Sequence, residues 1–308
     1  MFKEIFKYKK IKKTKKRLLE KKWDYDIMEL LWDSPIKTKF EENNTCYSLV
    51  YRPKLRRRER SIILIPGLRS SVFYEKGMAR IFAKSGFDAY IYILPYHLKR
   101  TPSGYKNGEL YLSSKLELSG DAFFQSITEV MALADITPGR KKGLFGISLG
   151  GILTHILMGI DDRFTGGVTV SAGGNINRIL WTGLLGWVVK REVKRRGATE
   201  KDYRETLKKF DDFLRDIRKG NWREPDYPWF LIDPLTYAHL NHPRNVLMFN
   251  GLFDPIIPLK SIFELKNDIG THFFVLLPAG HFSILLFCFY IFLSSIDFFI
   301  KWDRAVRK

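Results

Sequence analysis

A chain of 308 residues has room for one large α/β domain or two smaller ones, and a composition of 45% hydrophobic and 15% aromatic residues excludes a disordered chain. A formal net charge of +19 predicts attraction to anionic surfaces such as phospholipid headgroups, nucleic acid or acidic ligands. Cys46 and Cys288, far apart in sequence, read as buried free thiols, which suit a reducing compartment.

Residues 1–22 carry eleven Lys or Arg and two Glu, interleaved with Phe2, Ile5, Phe6, Ile11, Leu18 and Leu19. Phe2, Ile5 and Phe6 have helical spacing, so the stretch reads either as a basic amphipathic helix or as a solvated arm. It has no uninterrupted apolar core, so no secretory signal is expected. The expected location is cytoplasmic, with residues 1–22 contacting the anionic inner face of a membrane. Specific nucleic-acid binding is not expected, because no zinc-ligand spacing or nucleic-acid-binding motif accompanies the charge. Trp23 to Trp32 reads as another short helix, giving a basic N-terminal region over 1–45.

From Cys46 the rhythm changes. Cys46 to Arg52 predicts a strand, Arg52 to Arg60 a basic turn, and Ser61 to Ile65 a buried strand that ends in Pro66-Gly67-Leu68-Arg69-Ser70-Ser71. A helix over Glu75 to Ser85 stops at Gly86, and a strand over Phe87 to Leu94 stops at Pro95. The stretch Tyr96 to Ser119 is too long for a plain connection and is expected to line a site. A helix over Asp121 to Ala134 follows. The apolar run from Lys142 then leads into Gly146-Ile147-Ser148-Leu149-Gly150, a helix to Ile160 and a strand over Gly166 to Ser171. Alternating strands and helices predict a parallel sheet covered on both faces, with functional residues at the carboxyl ends of the strands.

The strand rhythm stops between residues 175 and 242, which predicts a mainly helical cap. Its first helix would present Trp181, Leu184, Leu185, Trp187, Val188 and Val189, and its charged part has Tyr203, Leu207, Phe210, Phe213, Leu214 and Ile217 at helical spacing. Strands resume at Asn245 to Phe249 and His272 to Leu277, separated by a helix over Leu259 to Asp268. Core segments are thus 46–174 and 243–308. Phe282 to Ile300 is nineteen residues long with Asp297 its one charge, which fits either a helix packed on the sheet or one that touches a membrane.

The chemistry sits at the predicted strand ends. A serine between Gly146 and Gly150, with a strand before it and a helix after it, has the setting of a nucleophile elbow. A hydroxyl is a poor nucleophile at neutral pH and needs a base, for which His281 is the candidate. Asp254 would fix the imidazole tautomer and offset the charge it acquires. Attack on an acyl carbon creates an oxyanion, for which the backbone N–H groups of Leu149 and Leu68 are the expected donors. Asp233 is a rival acid, but it precedes the Asn245 strand. His155, seven residues past Ser148, reads as structural. His97, His239, His242 and His272 form no metal-spaced cluster, and neither metal nor cofactor is expected.

Taken together, Pro66-Gly67-Leu68, Gly146-Ile147-Ser148-Leu149-Gly150, Gly251-Leu252-Phe253-Asp254-Pro255-Ile256-Ile257-Pro258 and Ala279-Gly280-His281-Phe282 resemble the α/β-hydrolase superfamily over about residues 47–302. The serine, aspartate and histidine follow that superfamily's order. One departure is Pro66-Gly67 where His-Gly is usual. The resemblance implies a serine hydrolase with a helical cap. The greasy cap, basic arm and last helix point to an ester or thioester with a hydrophobic, lipid-like acyl group. The alternative is a membrane-associated scaffold that keeps the fold without turnover.

Overall fold

A computed structural model describes the chain except for residues 1, 56, 57, 59, 114, 115, 185–189, 192–194, 196, 198, 242–244 and 308. Nine strands form one sheet in the order β1-β2-β3-β5-β4-β6-β7-β8-β9. They are β1 (Thr14–Lys21), β2 (Tyr25–Asp33), β3 (Thr45–Pro53), β4 (Ser61–Ile65), β5 (Asp88–Tyr92), β6 (Lys142–Ile147), β7 (Phe164–Val170), β8 (Asn245–Gly251) and β9 (Phe274–Leu277). The first three strands and the β3–β5 pair run antiparallel, and every pair from β5 to β9 is parallel.

The central strands are apolar on both sides because both sides are covered. In β4, Ile63 and Ile65 join one core layer while Ile62 and Leu64 join the other. The first layer packs under α3 (Leu116–Ile136) and α4 (Leu149–Ile160), with help from α8 (Leu259–Ile269). The second packs under α2 (Phe73–Lys84) and α9 (Cys288–Arg307). Of the remaining helices, α1 (Phe2–Ile5) is a single turn. Between β7 and β8 lie α5 (Ile176–Thr182), α6 (Glu200–Arg218) and α7 (Leu235–Ala238). Phe210, Phe213, Leu214 and Ile217 make the buried stripe of α6 and join the first core layer. A capping box starts this helix, with the Thr199 and Asp202 side chains each bonding the other residue's backbone N–H. Of the apolar residues expected in the first cap helix, Leu185, Trp187, Val188 and Val189 lie outside the described residues.

The N-terminal expectation is corrected. Residues 2–22 hold one helical turn and the strand β1 in place of a long helix, and β1 and β2 extend the same sheet as β3. Phe6 is fully buried and stacks on Phe124. All eight residues of β1 are exposed, so its lysines occupy an open sheet edge, where charge discourages pairing with another chain. Residues 23–32 are likewise not helical from Tyr25 onward: Tyr25 and Ile27 face one core layer, Leu30 and Trp32 the other. A strand buried on both sides shows no simple alternation in sequence, which is why a helix fitted it equally well.

Candidate active site

Each predicted site residue sits just past the carboxyl end of a parallel strand: Leu68 after β4, Ser148 after β6, Asp254 after β8 and His281 after β9. Gly146 and Gly150 make the sharp turn at Ser148 feasible. A β-carbon on Gly146 would run into the backbone of Gly150, and one on Gly150 would strike the carbonyl of Ile65. The turn holds Ser148 at φ 53° and ψ −114°, a strained conformation for a residue with a side chain. Ser148 thereby leaves the sheet edge half-exposed while the neighbouring α4 is buried throughout.

The Ser148 Oγ lies 2.8 Å from the His281 Nε2, and the His281 Nδ1 lies 2.8 Å from the Asp254 Oδ2. The other Asp254 oxygen accepts the N–H groups of Ile256 and Ile257, at 2.8 and 2.9 Å. Both carboxylate oxygens are therefore occupied and the side chain is fully buried. With Nδ1–H donating to this carboxylate, Nε2 is left to accept the serine hydroxyl. The N–H groups of Leu68 and Leu149 have no hydrogen-bond partner among the described residues, and both residues line the cavity that contains Ser148.

Two residues that sequence reasoning passed over brace the Leu68 loop. The neutral imidazole of His97 accepts the N–H of Arg69 at 2.9 Å and its Nδ1–H donates to the Pro95 carbonyl at 2.7 Å. Arg69 and Val72 both have positive φ, so the loop is held in a shape that these residues do not prefer. Glu75 is buried beneath it and accepts the Ser70 hydroxyl, and burial pushes its carboxyl pKa upward. His97 had no motif to mark it; only its lying beside the Pro-Gly-Leu loop in space reveals the contact.

Burial, helped by the charges of Arg100 and Arg69, brings the His97 pKa down to about 4 from the ordinary 6.5. An unfolded chain takes up this proton as pH falls below about 6.5, while the folded chain refuses it until about 4. Stability is therefore lost between those limits, on the order of 3 kcal/mol by pH 4 for this residue alone. His97→Phe is expected to flatten that part of the pH–stability curve, as followed by chemical denaturation at pH 7, 5.5 and 4. An unaltered slope would show that His97 does not contribute it.

The other candidates lie apart from the serine. Asp233, the rival acid, is buried between β7 and α5, where its carboxylate accepts the N–H groups of Asn175, Ile176 and Leu235. Burial raises its pKa to about 6, against the pull of those three N–H groups. His155 is fully buried in α4 within 3.2 Å of the Thr169 hydroxyl, and burial lowers its pKa to about 3. His242 lies outside the described residues.

A cavity of about 320 Å³ opens from Ser148 and is mostly apolar. Leu149, Phe123, Ile152 and Ile257 are among the residues that line it. Tyr111, Leu112 and Ser119, from the stretch expected to line a site, contribute as well, and the segment between β7 and β8 adds two stacked aromatic pairs: Trp181 on Tyr203, with centroids 4.8 Å apart, and Tyr227 on Trp229, at 4.4 Å. The Lys190 ammonium sits 4.8 Å from the centroid of the Trp181 ring.

Solved structures share this architecture along almost the whole chain. An acetyl xylan esterase from Paenibacillus sp. R4 superposes with a TM-score of 0.60 at 14% identity, covering 96% of this chain and 91% of its own. Acetyl xylan esterase 1 from Thermoanaerobacterium sp. JW/SL YS485 gives 0.57 at 16%, covering 95% and 93%. A cold-adapted esterase from an Arctic intertidal metagenomic library gives 0.56 at 15%, covering 90% and 94%. No protein-family description and no curated protein matches at the level of sequence. At identities this low the common property is the architecture, and it is the same in each case: the chain has the α/β-hydrolase fold.

Proposed function

We infer that the protein is a serine hydrolase that cleaves an ester or thioester of a hydrophobic acyl group through an acyl-enzyme. The observation that carries this reading is the unbroken chain from the Ser148 hydroxyl through His281 to Asp254, opening on an apolar cavity. Ser148 Oγ attacks the acyl carbon while its proton passes to the His281 Nε2. The N–H groups of Leu68 and Leu149 take the oxyanion. His281 then returns the proton to the departing alcohol or thiol, leaving the acyl group on Ser148. Water, deprotonated by His281, attacks the acyl carbon, and the carboxylic acid leaves as the serine hydroxyl re-forms. In this scheme residues 175–242 act as the cap over the acyl site, and the free thiols Cys46 and Cys288 suit a reducing, cytoplasmic setting.

A fluorophosphonate probe separates this enzyme from a scaffold of the same fold. Labelling of the native protein supports turnover chemistry, and a well-folded protein that takes no label favours the scaffold. Acyl preference is tested with p-nitrophenyl esters of increasing chain length. Each added methylene is expected to raise kcat/KM about fourfold, from roughly 0.8 kcal/mol of burial, until the cavity is filled. A profile highest at acetate and falling thereafter would overturn the hydrophobic acyl assignment.

The brace on the Leu68 loop gives a further expectation. His97→Phe removes the acceptor for the Arg69 N–H and is expected to lower kcat at least tenfold with little change in KM, because the donor it positions is engaged in the transition state. His97→Gln, which keeps an acceptor, should recover part of the loss. An equal loss in both variants, or a change in KM alone, would count against the brace.

A further inference from the structure

The last helix has one side built for the protein and one for something else. Ile284, Ile291, Ser295, Phe299 and Trp302 are buried, with Phe299 against Gly143 and Trp302 against Gly166. Asp303 at its far end is also buried and pairs with Arg58 and Arg60. The opposite side is apolar and open: Phe282 is 75% exposed, Leu286 81%, Phe289 75% and Leu293 51%. Phe289 and Leu293, four apart, share one face of α9, while Leu286 stands in the 3-10 turn (Ser283–Phe287) that leads into it and Phe282 in the turn before that. Single exposed apolar residues need no explanation, but a contiguous apolar face does. The stripe ends at Asp297, which pairs with Lys301 on the surface. The segment is long and apolar enough to cross a membrane, yet its buried side packs on the protein.

The open face adjoins the catalytic edge. Both α2 and α9 start at that edge and meet where Phe292 touches Gly77. Phe73, 73% exposed, lies about one turn nearer the edge than Gly77 on α2, level with the start of α9. Phe253, 68% exposed, precedes Asp254, and Phe282 follows His281 with ring centroids 5.3 Å apart. Leu184, also exposed, donates its N–H to the Pro255 carbonyl in the Asp254 loop. Apolar side chains thus surround the loops that carry the acid and the histidine.

We propose that this face docks on an anionic lipid surface and presents the site to acyl chains in it. The inference rests on the hydrophobic-ester reading above and names where that substrate is met. Charge decides between occupants. A second copy would bring another +19 charge against the first, whereas anionic headgroups are attracted. Exposed cations stand on the loops and helix start of the same edge, at Arg69, Lys106 and Lys260. The exposed lysines of β1 are not part of this contact. Their strand is seven places from β8 in the sheet, roughly 34 Å at ~4.8 Å per strand.

The test uses the full chain carrying Ser148→Ala, so that turnover cannot alter the vesicles. Flotation is measured with phosphatidylcholine vesicles, with and without phosphatidylglycerol. The protein is expected to float with the anionic vesicles, less so in high salt. Replacing Leu286, Phe289 and Leu293 together by Gln is expected to reduce binding at least tenfold. The same replacements in the Ser148 protein should leave hydrolysis of a short, soluble ester within twofold and hydrolysis of a vesicle-borne ester at least tenfold lower. Binding of the triple variant equal to the parent would overturn the proposal. So would a parent that ignores vesicles, or one that is dimeric by light scattering and becomes monomeric in the triple variant. Loss of soluble-ester hydrolysis in the unmodified protein would instead sink the hydrolase reading and leave the flotation result standing.

Discussion

Ser148→Ala is expected to lower kcat for ester hydrolysis by on the order of a million-fold, to the background rate, and to abolish fluorophosphonate labelling. Among the described residues it is the nucleophile hydrogen-bonded to His281, and removal of one member of a unit that acts together forfeits nearly the whole effect of that unit. Stability should change little. Among the described residues the hydroxyl bonds to His281 alone, and alanine tolerates the Ser148 backbone angles no worse than serine does. Asp254→Asn is expected to cost about ten-thousand-fold, since an amide holds the imidazole in the wrong tautomer. Measured by single-turnover kinetics and thermal denaturation together, the two variants separate chemistry from folding. A Ser148→Ala protein retaining more than a tenth of the activity would require another nucleophile.

The second large effect lies beneath the site. Arg100 and Glu129 are both fully buried and paired in a bidentate arrangement, at 2.6 and 2.7 Å. Arg100 also donates to the carbonyls of Ile93 and Asn43, and Glu129 accepts from Ser34, Gln125 and Tyr92. Burial alone would raise the Glu129 pKa, but the guanidinium outweighs it and holds the carboxyl below its ordinary value. Removing one partner leaves a charge buried without its counterion. Arg100→Met or Glu129→Leu is therefore expected to destabilise the protein by about 3–5 kcal/mol. The double variant should cost less than either single one, because no charge is stranded; denaturant melts of all three would show it. Costs that simply add would mean that the two charges are not coupled. The network joins the β2–β3 connection, the loop after β5 and α3, and it fixes Arg100 three residues from His97. Both single variants should consequently lose activity at temperatures below their melting transition.

The strands from Cys46 onward and the elbow were legible because their causes are local. A run such as Ser61–Ile65 is apolar on both sides wherever it lies in a covered sheet, and Gly146 and Gly150 are needed by the turn itself. Order along the chain then nominated Ser148, Asp254 and His281, and the structure brings them within 2.8 Å of one another in sequence of contact. The N-terminal strands were not legible. β1 has no buried residue, and its conformation comes from backbone bonds to β2 that leave no periodic mark on the side chains.

The sequence by itself determined the layered α/β architecture and the three residues at its strand ends, since strand burial and turn geometry act over a few residues. Only the tertiary structure decided that His97 braces the Leu68 loop, that Arg100 and Glu129 pair, that Asp233 serves α5 instead of His281, and that the last helix turns one apolar side outward. Each of these depends on which groups meet after distant segments pack, and a contact between residues separated by tens of positions has no local cause to read.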